Sequence, residues 1–306
     1  TDDNDYEFAA TNLAFTVTDA GTAYSIGNVT DSSGLNFTFQ GDEELQVGTI
    51  DVDTGSVSLN STGANITNSS SSITAGNLSL TAGSAAAAIG ASGAANDINV
   101  TLSGTLTADA SNGAGGVFIA ETTAAMSLVS VNAGTGAVEL TAATTINEAT
   151  NDATDNIITS GAVALVATGG IGNTSTLDLG GVTNLSLDTD ASFGVSTSGT
   201  LTDLAFVVNP GNGSNTYSLA DNDGGTTNIT FNVTDATSDL AVTQITLASG
   251  NLNLSLTADN GNVQVGEINT GAGSISLTAT SGSITDMDLD TAADITGGTV
   301  TLTASG

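Results

Sequence analysis

The chain consists of short runs in which apolar and polar residues alternate. The phrase "GNLSLTA" (residues 76–82) shows the pattern, and near-copies of it begin at Gly136, Gly161, Gly273 and Gly298. Alternation with a period of two places the apolar residues on one face of a β-strand. The sequence therefore predicts a protein made of short strands with one buried face.

These strands recur with a regular spacing. Apolar pairs that begin at Leu13 and continue through Leu78 and Val100 to Val300 mark fourteen positions, with a mean step of about 22 residues. A period of this size is typical of a solenoid. We predict an all-β protein, a right-handed parallel β-helix of about 14 windings of about 22 residues each, in which the pairs stack as one apolar column. Right-handedness is expected from the general rule for connections between parallel strands.

A longer repeat is also present. The segment "TNLAFTV" (residues 11–17) matches "TDLAFVV" (residues 202–208), and further matches keep an offset of 191 to 195 residues. We therefore expect one solenoid over residues 1–306 that holds about one and a half copies of a unit of about 190 residues, at 11–201 and 202–306. A longer parent protein that repeats this unit is the natural source of such a chain.

One stretch interrupts the rhythm. Residues 82–97 read "AGSAAAAIGASGAAND" and carry almost only small side chains. We predict a loop of small residues or a tight winding here, with a short helix as the alternative.

The charged residues change the picture of function. The chain has 32 acidic residues and no Lys, Arg, His or Cys. Its carboxylates must therefore be solvated, hydrogen-bonded or held by metal cations. Nucleic acid and anionic lipid surfaces are excluded as partners, because binding to phosphate needs Lys or Arg. No run of about 20 apolar residues predicts insertion into a membrane.

We expect no enzymatic activity. No His, Lys or Cys is present to activate a Ser or Thr nucleophile. Paired carboxylates could in principle hydrolyse glycosides, but aromatic residues, which usually line sugar sites, make up only 4% of the chain. The candidate pairs and triplet are Asp51/Asp53, Asp188/Asp190 and Asp286/Asp288/Asp290.

The same acidic strings are candidate Ca²⁺ ligands. In "ITDMDLD" (residues 284–290), three Asp residues share one strand face, and like charges repel unless a cation bridges them. A second candidate is the loop "DNDGG" (residues 221–225), and a third is the acidic run near residue 1. Solvated surface and turn residues are the alternative interpretation of all three. The candidate metal ligands are Asp286, Asp288, Asp290, Asp221, Asp223, Asp2, Asp3 and Asp5.

Three phrases carry a resemblance to a known family: "GSVSLNSTGANIT" (residues 55–67), "AGNLSLTAGS" (75–84) and "GAGSISLTATSGSIT" (271–285). The chain resembles the β-helical shafts of filamentous-haemagglutinin-like adhesins and related β-strand-repeat surface proteins of bacteria. The resemblance implies a secreted, non-enzymatic protein at the cell surface or outside the cell. We expect a rod that joins copies of itself end to end in a filament, sheath or surface layer. The alternative is the shaft or binding region of an adhesin, stabilised by Ca²⁺, that recognises glycans or other cells.

Overall fold

A computed structural model describes most of the chain, and within that part every regular element is a strand. The described residues are 11–18, 21–68, 72–182, 184–189, 191, 193–198, 203–208, 215–221, 226–233, 239–247, 251–258, 260–287 and 293–306. The strands are β1 (Asn12–Val17), β2 (Tyr24–Thr30), β3 (Asn36–Gly41), β4 (Leu45–Asp51), β5 (Val57–Ser61), β6 (Ile66–Asn68), β7 (Ser72–Ala75), β8 (Leu78–Ala82), β9 (Ala88–Ile89), β10 (Ile98–Leu102), β11 (Thr105–Asp109), β12 (Gly116–Glu121), β13 (Met126–Gly134), β14 (Val138–Ala142), β15 (Thr145–Glu148), β16 (Ile157–Thr159), β17 (Ala162–Ala167), β18 (Gly170–Ile171), β19 (Leu177–Gly180), β20 (Asn184–Thr189), β21 (Phe193–Thr197), β22 (Asp203–Val208), β23 (Asn215–Asp221), β24 (Thr226–Val233), β25 (Leu240–Leu247), β26 (Asn251–Ala258), β27 (Val263–Asn269), β28 (Ser274–Ala279), β29 (Ile284–Asp286), β30 (Ile295–Thr296) and β31 (Thr299–Ala304).

The strands form two parallel sheets. Sheet I runs in the order β1-β3-β5-β8-β11-β13-β15-β18-β21-β23-β25-β27-β29, and sheet II contains β2, β4 and the strands that continue from them to β31. Strands along the chain alternate between the two sheets, so one winding takes its main strands from both. This confirms the predicted all-β parallel solenoid. The path of sheet I passes through thirteen strands, so the predicted number of fourteen windings is slightly too high. The right hand of the coil stays a prediction.

The core lies between the sheets and consists of stacked columns. In sheet II, Leu140 pairs with Leu165 and Leu165 with Leu187, and all three side chains are fully buried. Parallel pairing in register places equivalent residues of neighbouring windings above one another. A single winding cannot bury its inward face alone, so each winding depends on its neighbours for its core.

The recurring phrase occurs on both sheets. Its copy at residues 76–82 forms β8 of sheet I, whereas the copies that begin at Gly136, Gly161 and Gly298 form β14, β17 and β31 of sheet II. Leu78 pairs with Leu106, while Val100 belongs to sheet II and pairs with Ile73. The prediction of one continuous apolar column is therefore wrong. The step of 22 residues survived because each winding holds two strands with the same alternation.

The longer repeat also changes sheets. The segment at residues 11–17 contains β1 of sheet I, and its match at 202–208 contains β22 of sheet II. In the same way, β4 lies in sheet II and its counterpart β25 in sheet I. The matched segments are thus half a winding out of phase, which is possible because both sheets accept the same pattern. The division into units of about 190 residues stays a prediction.

The glycine that opens the phrase is required by a close approach of backbones. A Cβ added at Gly76 would overlap the carbonyl oxygen of Thr54, and one added at Gly161 would overlap that of Gly136. The turns of successive windings therefore stack too closely for a side chain at this corner.

The small-residue segment contains the short strand β9 and a loop at residues 90–97. The predicted loop is confirmed, and the alternative of a short helix is wrong. The loop lengthens its winding, so that 28 positions separate Leu78 from its partner Leu106.

Candidate functional site

Most of the predicted metal ligands cannot be placed. Asp221 is the last residue of β23, and its backbone pairs with Thr197 and Leu247. In the described part of the chain, no group of three or more His, Cys, Asp or Glu side chains could hold a metal ion. Ca²⁺ at the predicted positions therefore stays a prediction. The predicted ligands outside the described residues are Asp2, Asp3, Asp5, Asp223, Asp288 and Asp290.

Asp286 lies on the inward side of its strand. It pairs with Val265, which itself pairs with Val242, and both valines are buried. Met287, the next residue, is 38% exposed and points the other way. The predicted opposition of Asp286 and Met287 is confirmed, but the carboxylate continues the line of core residues instead of covering an outer surface.

The carboxylate pairs proposed for hydrolysis do not form an acid and base couple where they are described. Asp51 Oδ1 accepts a hydrogen bond of 3.3 Å from the backbone N–H of Asp53, and Asp53 has a φ of 53°. This geometry is a turn stabilised by its own side chain. Asp188 is a half-buried residue of β20, and Asp190 lies outside the described residues.

The structure reveals a buried carboxylate that sequence reasoning missed. Glu121 ends β12 and is 1% exposed, in the inward column between Val100 and Ala142. Its Oε2 accepts a 2.7 Å hydrogen bond from the N–H of Leu102. Its Oε1 accepts bonds of 3.1 Å from the N–H groups of Thr123 and Ala124. Glu121 therefore stabilises a turn, and its charge is compensated by backbone dipoles in a chain without cationic side chains.

A second acidic region surrounds the loop between β15 and β16. Glu148 accepts hydrogen bonds from the N–H of Asp152 at 2.8 Å and from Ser175 Oγ at 2.7 Å. Burial raises the pKa of Asp178, and the negative charges of Glu148 and Asp155 raise it further. This region is strongly negative, but its buried carboxylate already has partners.

A third site differs from both, because one of its carboxyl oxygens lacks a partner. Asp97 lies just before β10 and is 7% exposed. Its Oδ1 is buried and makes no hydrogen bond. Loss of solvent raises the pKa of Asp97, and the charge of Glu139 adds to this effect. The only sequence signal for this site was the break in rhythm at residues 82–97.

Comparisons with known proteins leave the argument to the fold and its surface. No protein-family model, curated protein or solved structure matches the chain. Among the described residues, no helix is both long and apolar enough to cross a membrane.

Proposed function

We propose that this chain is a structural protein, an extracellular rod that joins copies of itself end to end in a filament, sheath or surface layer. The observation that carries the proposal is an unfinished core at β31. Val300 is 43% exposed and Leu302 is 52% exposed. Their partners in β28, Ile275 and Leu277, are 1% and 0% exposed. A further winding on β31 would bury the two side chains in the same way.

The backbone of β31 supports the same contact. Among the described strands it pairs only with β28, so its other edge offers unpaired N–H and C=O groups to a further strand. At the other end of the described windings, β1 pairs only with β3, and Phe15 is 40% exposed. Contact between these two unlike ends is heterologous, and such contacts build open filaments when they do not close into a ring.

The energetics predict a weak contact that needs screening. Complete burial of a Val or Leu side chain contributes roughly 1.5–3 kcal/mol, so the half-exposed Val300 and Leu302 supply about half of that each. Each net backbone hydrogen bond adds about 1 kcal/mol. Against this stand the cost of association and the repulsion between chains with a net charge of −32. Assembly should therefore increase with protein concentration and with salt.

Filament formation tests the proposal. The 306-residue chain is imaged by negative-stain electron microscopy and followed by sedimentation at low and high salt. We expect linear filaments at high salt. Leu302→Asp should prevent them, because it places a charge in the contact. The matched control is Val166→Asp, since Val166 is 39% exposed on the outer face of β17, far from either end. Wild-type protein that stays monomeric at every concentration and salt would refute the proposal.

A further inference from the structure

Asp97 combines two unfavourable features, because it is buried and one of its oxygens is unpaired. Its Oδ1 is the one buried side-chain oxygen or nitrogen without a hydrogen bond among the described residues. An unpaired carboxylate in such a place costs several kcal/mol unless a counter-charge is bound. The sequence contains no Lys, Arg or His that could provide this charge. The compensating group must therefore come from solution.

The segment that carries Asp97, residues 90–97, is a shaped loop, which we call the Asp97 loop. The N–H of Ala91 donates to the carbonyl of Asn96 at 3.1 Å, and the N–H of Asn96 donates to the carbonyl of Gly93 at 2.8 Å. Asn68 Nδ2 donates to the backbone carbonyl of Asp97 at 2.6 Å. The loop is thus fixed to sheet II by a neighbouring winding, while its carboxylate is left without a partner.

The Asp97 loop also contacts an acidic residue of β14. Ser92 Oγ donates a 2.8 Å hydrogen bond to Glu139 Oε1, and the charge of Glu139 acts on Asp97. Phe118 points outward from β12 but is only 6% exposed, and its Cβ lies against Gly90 of the loop. The loop therefore brings a hydroxyl and two carboxylates together above an apolar surface that limits access of water.

We propose that Asp97, Glu139 and Ser92 form a Ca²⁺ site that holds the Asp97 loop to β14. Ca²⁺ takes carboxylate and other oxygen ligands in flexible geometry, and water completes its shell. With two carboxylates the affinity should be modest, with a Kd on the order of 10⁻⁴–10⁻³ M. The site involves none of the acidic residues predicted from the sequence. It also does not depend on filament assembly, because it lies within one chain.

Hydrogen exchange of the Asp97 loop tests this site. The full chain is exchanged with and without CaCl₂, digested with pepsin and analysed by mass spectrometry for the peptides that cover residues 90–97. At ten times the Kd, Ca²⁺ should slow exchange of the loop about tenfold, because binding shifts the opening equilibrium by a factor of 1 + [Ca²⁺]/Kd. Asp97→Asn and Glu139→Gln should each abolish this effect. Asp53→Asn is the matched control, since it removes the same charge at an exposed turn where φ is 53°.

The variants distinguish a bound Ca²⁺ ion from a shared proton and from a general effect of charge. Without Ca²⁺, Asp97→Asn should exchange more slowly than the wild type, because the neutral amide removes the unpaired charge. If the loop shows no Ca²⁺-dependent protection in the wild type, the proposal is wrong. It is equally wrong if Asp53→Asn abolishes the effect, or if acidification alone gives the full protection, which would identify a proton shared by Asp97 and Glu139.

Discussion

Replacement of Glu121 tests whether backbone N–H groups compensate its buried charge. Glu121→Ala removes the acceptor for three N–H groups, those of Leu102, Thr123 and Ala124. Leu102 is 4% exposed, so water cannot replace the lost partner there, and a buried unpaired donor costs about 1–3 kcal/mol. The turn that contains Thr123 and Ala124 is more exposed, and water recovers part of the loss there.

The net effect should be a loss of about 2–4 kcal/mol in the free energy of unfolding. Relief of the buried charge is a small offset, because the carboxylate already has its hydrogen bonds. Glu121→Gln keeps the shape and one carbonyl acceptor, but its NH₂ group then faces a backbone donor. We expect this variant to lose about half as much stability as Glu121→Ala.

Urea denaturation followed by far-ultraviolet circular dichroism measures both losses, with the m-value as the check that each variant unfolds as the wild type does. Glu139→Gln, measured in chelator, is the control, because Glu139 lies on the neighbouring strand β14 and is only half-buried. It should change stability by less than about 0.5 kcal/mol. The reasoning fails if Glu121→Ala is as stable as this control.

Two further predictions concern the turns and the acidic residues. Gly161→Ala should destabilise the protein by about 1–3 kcal/mol in urea denaturation, because the new Cβ overlaps the carbonyl of Gly136. Gly27→Ala has no atom within 4 Å of its Cβ and should cost far less, so equal losses would contradict the stacking argument. The raised pKa values of Asp97 and Asp178 mean that the folded chain binds protons more readily than the unfolded chain. Stability without Ca²⁺ should therefore rise as the pH falls from 8 to about 5. Asp178→Asn should reduce this rise in melting temperature, and a lower melting temperature at pH 5 than at pH 8 would contradict the sign.

Much of the fold could be predicted because the signal repeats. The alternation at residues 76–82 indicated a strand, and its recurrence indicated a solenoid of windings of about 22 residues. Stacked windings make the same local pattern serve every level of the core, so one period is enough to recognise the architecture. The candidate sites were far less predictable. A carboxylate such as Glu121 becomes buried through partners 19 positions away, at Leu102, and no local pattern reports this.

The sequence by itself determined the strands, their parallel stacking and the absence of internal ion pairs, since alternation and composition are local properties of the chain. Only the tertiary structure decided which sheet each phrase joins. Leu78 and Val100 follow the same pattern, yet they belong to different sheets. Both sheets bury the same kind of face, so the pattern carries no label for either. Tertiary contacts also decided which carboxylates are buried, because the position of Asp97 depends on a loop that folds over a neighbouring winding.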